Sequence, residues 1–258
     1  MILSACIQKG GVGKSTSIIA ISSFLASRGY KVLCIDFDSQ ANTTVVLLGN
    51  EPDISLKDVI IDSTPLSEII FSTKIDRLDI IPSNISLAKL DRYLIMEPEG
   101  IYFLRDVIED NSLITQYDYI LIDTPPSLGM LTINALVASD FLIIPVTCSK
   151  FSIKGLQDLE ESIAYVQKRS NPDLKVLGAF INQYDSRRNV IRGLEKDIVE
   201  YFGDLLFKTR VRVNTRIEEA MVMKQPIFLY DSKSIGAKDF SALCEDILGK
   251  LEGNELHP

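Results

Sequence analysis

The sequence predicts an α/β fold, a doubly wound, mostly parallel sheet flanked by helices. Three observations carry that expectation. Short runs rich in Ile, Val and Leu, without polar alternation, recur along the chain, as strands buried on both faces require. Segments with helical spacing of apolar residues separate them. Polar residues gather at the carboxyl ends of the runs, where open α/β sheets bind their ligands.

The first run, residues 2–7, leads into "CIQKGGVGKSTSII". This is a phosphate-binding loop of the form G-x-x-x-x-G-K-[ST], except that Gln8 stands in place of the first Gly and a second lysine, Lys9, follows. Gly10, Gly11 and Gly13, with Val12 between them, permit a tight turn and a close approach of backbone to phosphate. Ser15 and Thr16 open a helix, expected over 15–27, whose N-terminus favours an anion. Lys14 is placed to bridge the β- and γ-phosphates of a nucleotide, and the Ser15 hydroxyl to ligate Mg²⁺.

The next strand, 31–36, ends on Asp36, with Asp38 two residues on. One of these acids could assist a metal and the other position an attacking water. Residues 42–75 read as short helices and loops, followed by a strand at 78–81. The strand at 119–123 ends on Asp123, the natural acid partner of Mg²⁺, and Pro125-Pro126 stiffens its exit. A helix at 131–138 and strands at 141–146 and 176–182 follow, the last ending on Asn182. Helices are expected at 153–169, 192–202 and 238–251. No repeat or flexible linker interrupts the pattern, so residues 1–258 read as a single domain.

Bulk properties narrow the function. The chain is 46% hydrophobic and 24% charged, and no apolar run approaches the ~18 residues of a membrane helix. With the phosphate loop starting at Gln8 there is no room for a leader peptide, so a cytoplasmic location is expected. Four scattered cysteines form no C-x-x-C pair, and the only histidine is His257. Histidine-based catalysis and a His-ligated zinc site are therefore not expected.

The stretches "QKGGVGKST", "CIDFDSQANTT", "YDYILIDTPPSLGMLTINAL" and "IFLYDSKSIGAKDF" together resemble the ParA family of DNA-partition ATPases, in the deviant-Walker-A group of P-loop NTPases that includes Soj and MinD. The resemblance covers nearly the whole chain, in the family's order. It implies a Mg²⁺-dependent ATPase that dimerises with ATP, binds double-stranded DNA nonspecifically on the nucleoid, and partitions chromosomes or plasmids with a ParB-type partner. It implies that Lys9 crosses the dimer interface to the partner's ATP, as a catalytic lysine alongside Lys14. Asp38 matches the acid needed for hydrolysis and a metal contact, Asp123 the second metal acid, and Asn182 a position facing the base. In "VRVNTRIEEA" the family's I-P-R-N-V-R-L is altered: Arg212 stands at the Pro and Val213 at the first Arg, while Asn214 and Arg216 match. Asn214 is thus a further expected base contact.

Residues 187–216 hold eight basic and four acidic side chains in a chain of net charge −8. Lys208, Arg210 and Arg212 share one face if their segment is extended. Clusters of this kind bind phosphate backbone without reading sequence. By the resemblance, Arg187 and Arg216 serve that role. No helix-turn-helix domain is expected before the first strand. A MinD-like membrane ATPase is the alternative, but it needs a basic amphipathic tail, and "GKLEGNELHP" is acidic. No membrane partner is therefore expected. A redox protein with a shared iron–sulfur cluster would need two suitable cysteines per subunit; Cys148 alone is near the right place.

Overall fold

The computed structural model describes residues 1–149, 152–187 and 189–255. In chain order its elements begin with β1 (Ile2–Ala5), α1 (Lys14–Ser27), β2 (Val32–Asp36), α2 (Asn42–Leu48) and α3 (Leu56–Ile61). Then come β3 (Phe71–Ser72), β4 (Leu78–Ile81), α4 (Leu87–Met96), α5 (Phe103–Asp110) and α6 (Leu113–Gln116). β5 (Tyr119–Asp123), α7 (Met130–Ala138), β6 (Phe141–Thr147), α8 (Ser152–Arg169) and β7 (Lys175–Tyr184) follow. The remaining elements are α9 (Asn189–Phe202), β8 (Leu206–Arg212), α10 (Thr215–Val222), α11 (Ile227–Tyr230) and α12 (Ile235–Glu255).

The strands form one eight-stranded sheet in the order β3-β4-β2-β5-β1-β6-β7-β8. Every adjacent pair is parallel except β3 with β4. Each residue of β1, β2 and β5 is buried, as their uninterrupted apolar sequences demand of central strands. On one face Phe24 and Leu25 of α1 pack with Phe240, Leu243 and Ile247 of α12. On the other, Leu90 and Leu94 of α4, Leu104 of α5 and Leu131 of α7 form one cluster. Leu156, Leu159 and Ile163 of α8 form a second with Ile198 and Phe202 of α9.

Register aligns the carboxyl ends of the central strands. Asp123 sits opposite both Ala5 and Asp36, and Thr147 opposite Asn182. The polar strand ends of the sequence therefore lie along one edge of the sheet, separated by single strand spacings.

Several elements differ from the sequence expectation. β1 stops at Ala5 rather than residue 7. The Cys6 N–H turns to Ile143 O at 3.2 Å, and the buried Ile7 leads directly into the phosphate loop. Helices α4, α5 and α6 fill a region that the strand–helix pattern had left blank. Their buried faces are narrow: Leu87, Leu90 and Leu94 on α4, and Leu104, Val107 and Ile108 on α5. β8 is an unassigned strand at the sheet's edge. Only Phe207 and Val211 of it are fully buried, and Lys208 and Arg212 are exposed. Charged side chains on an edge strand discourage pairing with another sheet. Among the described residues, no helix is long and apolar enough to cross a membrane.

Candidate functional site

The loop between β1 and α1 is shaped by two left-handed glycines, Gly11 at φ +71° and Gly13 at φ +89°. Gly13 caps α1 without a side-chain hydrogen bond, so the first-turn N–H groups stay available to an anion. A Cβ at Gly13 would lie 2.1 Å from Asn182 Nδ2. At Gly10 and Gly11 a Cβ would meet nothing within 4 Å, leaving backbone open to a ligand. Lys14 is buried, and its ammonium donates to the carbonyl of Lys9 at 3.1 Å and reaches towards that of Ile7 at 3.5 Å. Burial pulls its pKa below the ordinary lysine value, against the nearby charges of Asp123, Cys6 and Asp38.

Three aspartates gather at or just beyond the strand ends, and the charges of two of them, Asp123 and Asp38, act on this lysine. Asp36 is fully buried. It accepts from the Thr44 N–H and Thr44 hydroxyl, both at 2.7 Å, and from the Asp38 N–H at 3.2 Å. Burial, with Asp123 beside it, pushes its carboxyl up to about 8. Asp123 is equally buried and accepts from the Thr43 hydroxyl at 2.7 Å. Its Oδ1 has no hydrogen-bond partner. Burial raises Asp123 to about 6, against the Ser15 and Thr43 hydroxyls that lower it. Asp38 is nearly buried, accepts from the Gln40 N–H at 3.0 Å, and is raised by burial.

A cleft of about 320 Å³ is lined by Gly10, Gly13, Lys14, Ser15, Asp38 and Pro126, among others. It continues, through Gly13, Thr16 and Met221, into a second cavity of about 410 Å³. That cavity is lined by Asn182, Gln183, Asn214, Ile217 and Phe240. The first has the glycines, ammonium and hydroxyl of a polyphosphate site. The second joins apolar walls to amide groups, as a planar base requires. An orphaned buried carboxylate oxygen beside a serine hydroxyl is a fitting pair of ligands for a hard divalent cation. No three His, Cys, Asp or Glu side chains among the described residues are grouped to hold a metal alone. Oxygens from a ligand would have to complete such a shell.

Asn182 and Asn214 both line the second cavity, but both have other bonds. Asn182 Nδ2 donates to Val12 O at 2.7 Å, and its Oδ1 accepts from the Gln183 N–H. Gln183, left-handed at φ +53°, donates through Nε2 to Gly11 O at 2.8 Å. The end of β7 thus clamps the phosphate loop through two amides. Asn214 caps α10, accepting from the Arg216 N–H at 2.9 Å. Arg212 is held by Asp239 through Nε at 2.8 Å and Nη2 at 2.6 Å, with its backbone N–H on the same carboxylate.

Lys9 is half-buried and folds back within its own chain, donating to the hydroxyls of Thr147 at 3.1 Å and Ser149 at 2.5 Å. Arg187 is exposed and makes a two-pronged pair with Asp185, at 2.8 and 3.1 Å. Arg216, also exposed, pairs with Glu219 at 2.6 Å and Asp231 at 3.6 Å. Arg188 of the basic stretch and His257 of the acidic tail lie outside the described residues. The four cysteines are free, and only Cys148 is not fully buried.

Sequence reasoning missed Thr43, Thr44 and Gln183. The two threonines follow "SQAN" directly after Asp38, and a helix start there would have brought their hydroxyls back to the acids. Gln183 carries no comparable signal, because its partner is 172 residues away.

A family model described as an AAA domain matches residues 1–176. The sporulation initiation inhibitor protein Soj of Bacillus subtilis is 37% identical over 95% of this chain and 97% of its own. The chromosome partitioning protein ParA of Caulobacter vibrioides is 34% identical, covering 96% of this chain and 94% of its own. Among solved structures, cobyrinic acid a,c-diamide synthase of Mycobacterium smegmatis with bound ATP analog and magnesium superposes with a TM-score of 0.84. Its identity is 29%, over 98% of this chain and 96% of that one.

Proposed function

This chain belongs to the ParA/Soj family of ATPases, and we propose that it hydrolyses ATP with Mg²⁺ to switch its own dimerisation and DNA binding during chromosome or plasmid partition. The observation that carries the reading is the double cleft: a phosphate-shaped half lined by Lys14, Ser15 and Asp38, continuous with a base-shaped half at Asn182 and Asn214. The partition relatives, being more similar in sequence than the synthase, set the direction of the reading.

In this scheme the single domain uses Gly10, Gly11, Val12, Gly13, Ser15 and Thr16 to wrap the phosphates, and Lys14 to neutralise the β- and γ-oxygens. Ser15, Asp123 and Asp38 would hold Mg²⁺, directly or through water, and the ion when bound supplies charge neutralisation at the transferring phosphoryl group. Asp38, poised at the cleft wall, orients the attacking water. Lys9 leaves its resting place to reach the partner subunit's nucleotide, adding positive charge to the transition state as an arginine finger does. Asn182 and Asn214 border the base. Arg187 and Arg216 contact DNA phosphates, and a ParB-type protein stimulates turnover on the nucleoid in the cytoplasm.

Gel filtration with ATP and with ADP, followed by DNA binding in both states, tests the scheme. Wild type should dimerise and bind duplex DNA only with ATP. Lys14→Ala should do neither. A Lys14→Ala chain that dimerised with ATP like wild type would overturn the assignment of the phosphate loop.

A further inference from the structure

Lys9 is the loop's odd residue, and its resting place is unusual for a lysine. It lies across β1 onto the end of the neighbouring β6, where the Thr147 and Ser149 hydroxyls take its ammonium. The segment is tightly turned at both ends. The Lys9 N–H bonds Ile7 O at 2.8 Å, and the Ser149 N–H bonds Thr147 O at 2.8 Å. These two short turns bring the side chains face to face across 138 and 140 residues of sequence. The Lys9 carbonyl is itself held by Lys14, so the same residue is fixed through both its backbone and its side chain.

The chemistry of this seat is informative. Acids are plentiful in the chain, yet both bonds to the Lys9 ammonium come from neutral hydroxyls. A partly buried carboxylate would hold an ammonium by charge and would have to be stripped away. Hydroxyls give it hydrogen bonds of modest net worth that a more negative site outcompetes.

We propose that Thr147 and Ser149 are positioning residues that park Lys9 in the monomer and set the threshold for ATP-driven dimerisation. The inference rests on the reading of Lys9 as a lysine acting on the partner's nucleotide. In the monomer the hydroxyls keep the ammonium off the face that a second subunit must approach. In the dimer, Lys9 gives up two neutral bonds for the polyphosphate of the other chain. Each subunit makes this exchange, so the cost of leaving the seat enters the dimerisation constant twice.

Thr147→Val with Ser149→Ala removes both acceptors with little change of volume. Two assays separate this inference from the finger reading. The first uses the nucleotide-free monomer and an amine-reactive acylating reagent, with labelling read residue by residue by mass spectrometry. Lys9 should label several-fold faster in the double variant, with the exposed Lys31 labelling as an internal reference at an unchanged rate. The second is sedimentation with increasing ATP·Mg²⁺. Loss of a net hydrogen bond on each subunit, counted twice, should lower the protein concentration for half-dimerisation by about thirtyfold. Ser149→Thr, which keeps a hydroxyl, should stay near wild type in both.

Unchanged Lys9 labelling, or half-dimerisation at wild-type or higher concentration, would overturn the parking role. Lys9→Ala reports on the other reading. If that variant dimerises with ATP normally, the lysine does not act across the interface, whatever its labelling shows. If it fails to dimerise while the hydroxyl variant behaves as wild type in both assays, only the parking role falls.

Discussion

Asp36 offers the most direct physical test of the strand-end cluster. It is fully buried, next in register to a second buried aspartate, and raised from the ordinary 3.8 to about 8. The folded protein therefore keeps a proton that the unfolded chain releases. The stability this contributes is complete below the ordinary carboxylate range and is lost as pH rises through the folded value. At about 1.4 kcal/mol per pH unit across that window, Asp36 should remove about 4 kcal/mol of stability between roughly pH 5 and pH 9. Asp123, raised to about 6, gives up its smaller share mainly in the lower half of the same interval. The window is unusually clean because the only histidine in the chain is His257. The assay is urea unfolding of nucleotide-free protein in EDTA at several pH values, for wild type and Asp36→Asn. Asparagine keeps an acceptor for the Thr44 N–H but carries no titrating proton. Wild type should lose stability steeply with pH, and the variant should lose about 4 kcal/mol less over the interval. Self-repulsion of a chain of net charge −8 affects both proteins alike, so it cancels in the comparison. Parallel stability–pH curves would refute the argument that Asp36 is held neutral by its surroundings.

Gly13→Ala should weaken nucleotide binding at least tenfold by calorimetry. The new Cβ would drive Asn182 off Val12 O and force alanine into φ +89°. Asn134→Ala should lower stability by about 2–4 kcal/mol in chemical denaturation, because it strands the buried Leu104 N–H and the Gly100 carbonyl that the amide now satisfies. Glu219→Gln removes one of the two acids on Arg216 and should raise affinity for duplex DNA in the ATP state, measured by fluorescence anisotropy. Arg216→Glu should abolish that binding while basal ATPase persists, and an unaffected affinity would place the DNA surface elsewhere.

What the sequence disclosed depended on how local the signal was. The phosphate loop is contiguous from Lys9 to Thr16, and its glycines, lysine and helix start state their own geometry. Asp36 and Asp123 were legible because each terminates an apolar run, and parallel register then puts them side by side. Residues 82–118 were not. Their helices are short and bury narrow stripes, so acidic residues such as Asp91 and Asp106 broke the pattern of apolar spacing. β8 escaped for the opposite reason: an edge strand buries little, and Lys208, Arg210 and Arg212 on one face of an extended segment read as a phosphate-binding cluster rather than as a strand of the sheet. The clamp of Asn182 and Gln183 on the loop was invisible, since nothing in either segment specifies a bond across 170 residues or more. Asn134 stood in the sequence only as part of "TINAL". Two of its buried bonds join α7 to α5 and to the turn before it, a task that becomes apparent only once those elements are packed.

The basic stretch shows why counting charges is not enough. Arg210 is partly buried, with Glu195 on it at 2.9 Å, and Arg212 gives Asp239 both its guanidinium and its backbone N–H. Those acids are themselves largely shielded, so exchanging them for DNA phosphate would leave a desolvated carboxylate unpaired, which is costly. Both pairs hold β8 in place. Arg216 is paired differently. Its side chain is 53% exposed and the Glu219 that faces it is 43% exposed, whereas the Asp185 on Arg187 is only 18% exposed, as shielded as Glu195. Exposed pairs contribute only about 0–1 kcal/mol, and the acids keep their hydration when the arginine leaves. A phosphate can therefore displace Glu219 from Arg216 at little cost. Among the described basic residues of the segment, Arg192, Lys196 and Lys208 are exposed beside Arg187 and Arg216, while Arg210 and Arg212 are committed to holding β8. With a salt slope near −0.9 per phosphate contact, so few contacts make a weak monomer. In the proposed scheme, bringing two chains together doubles them, so that DNA affinity would follow dimerisation rather than net charge.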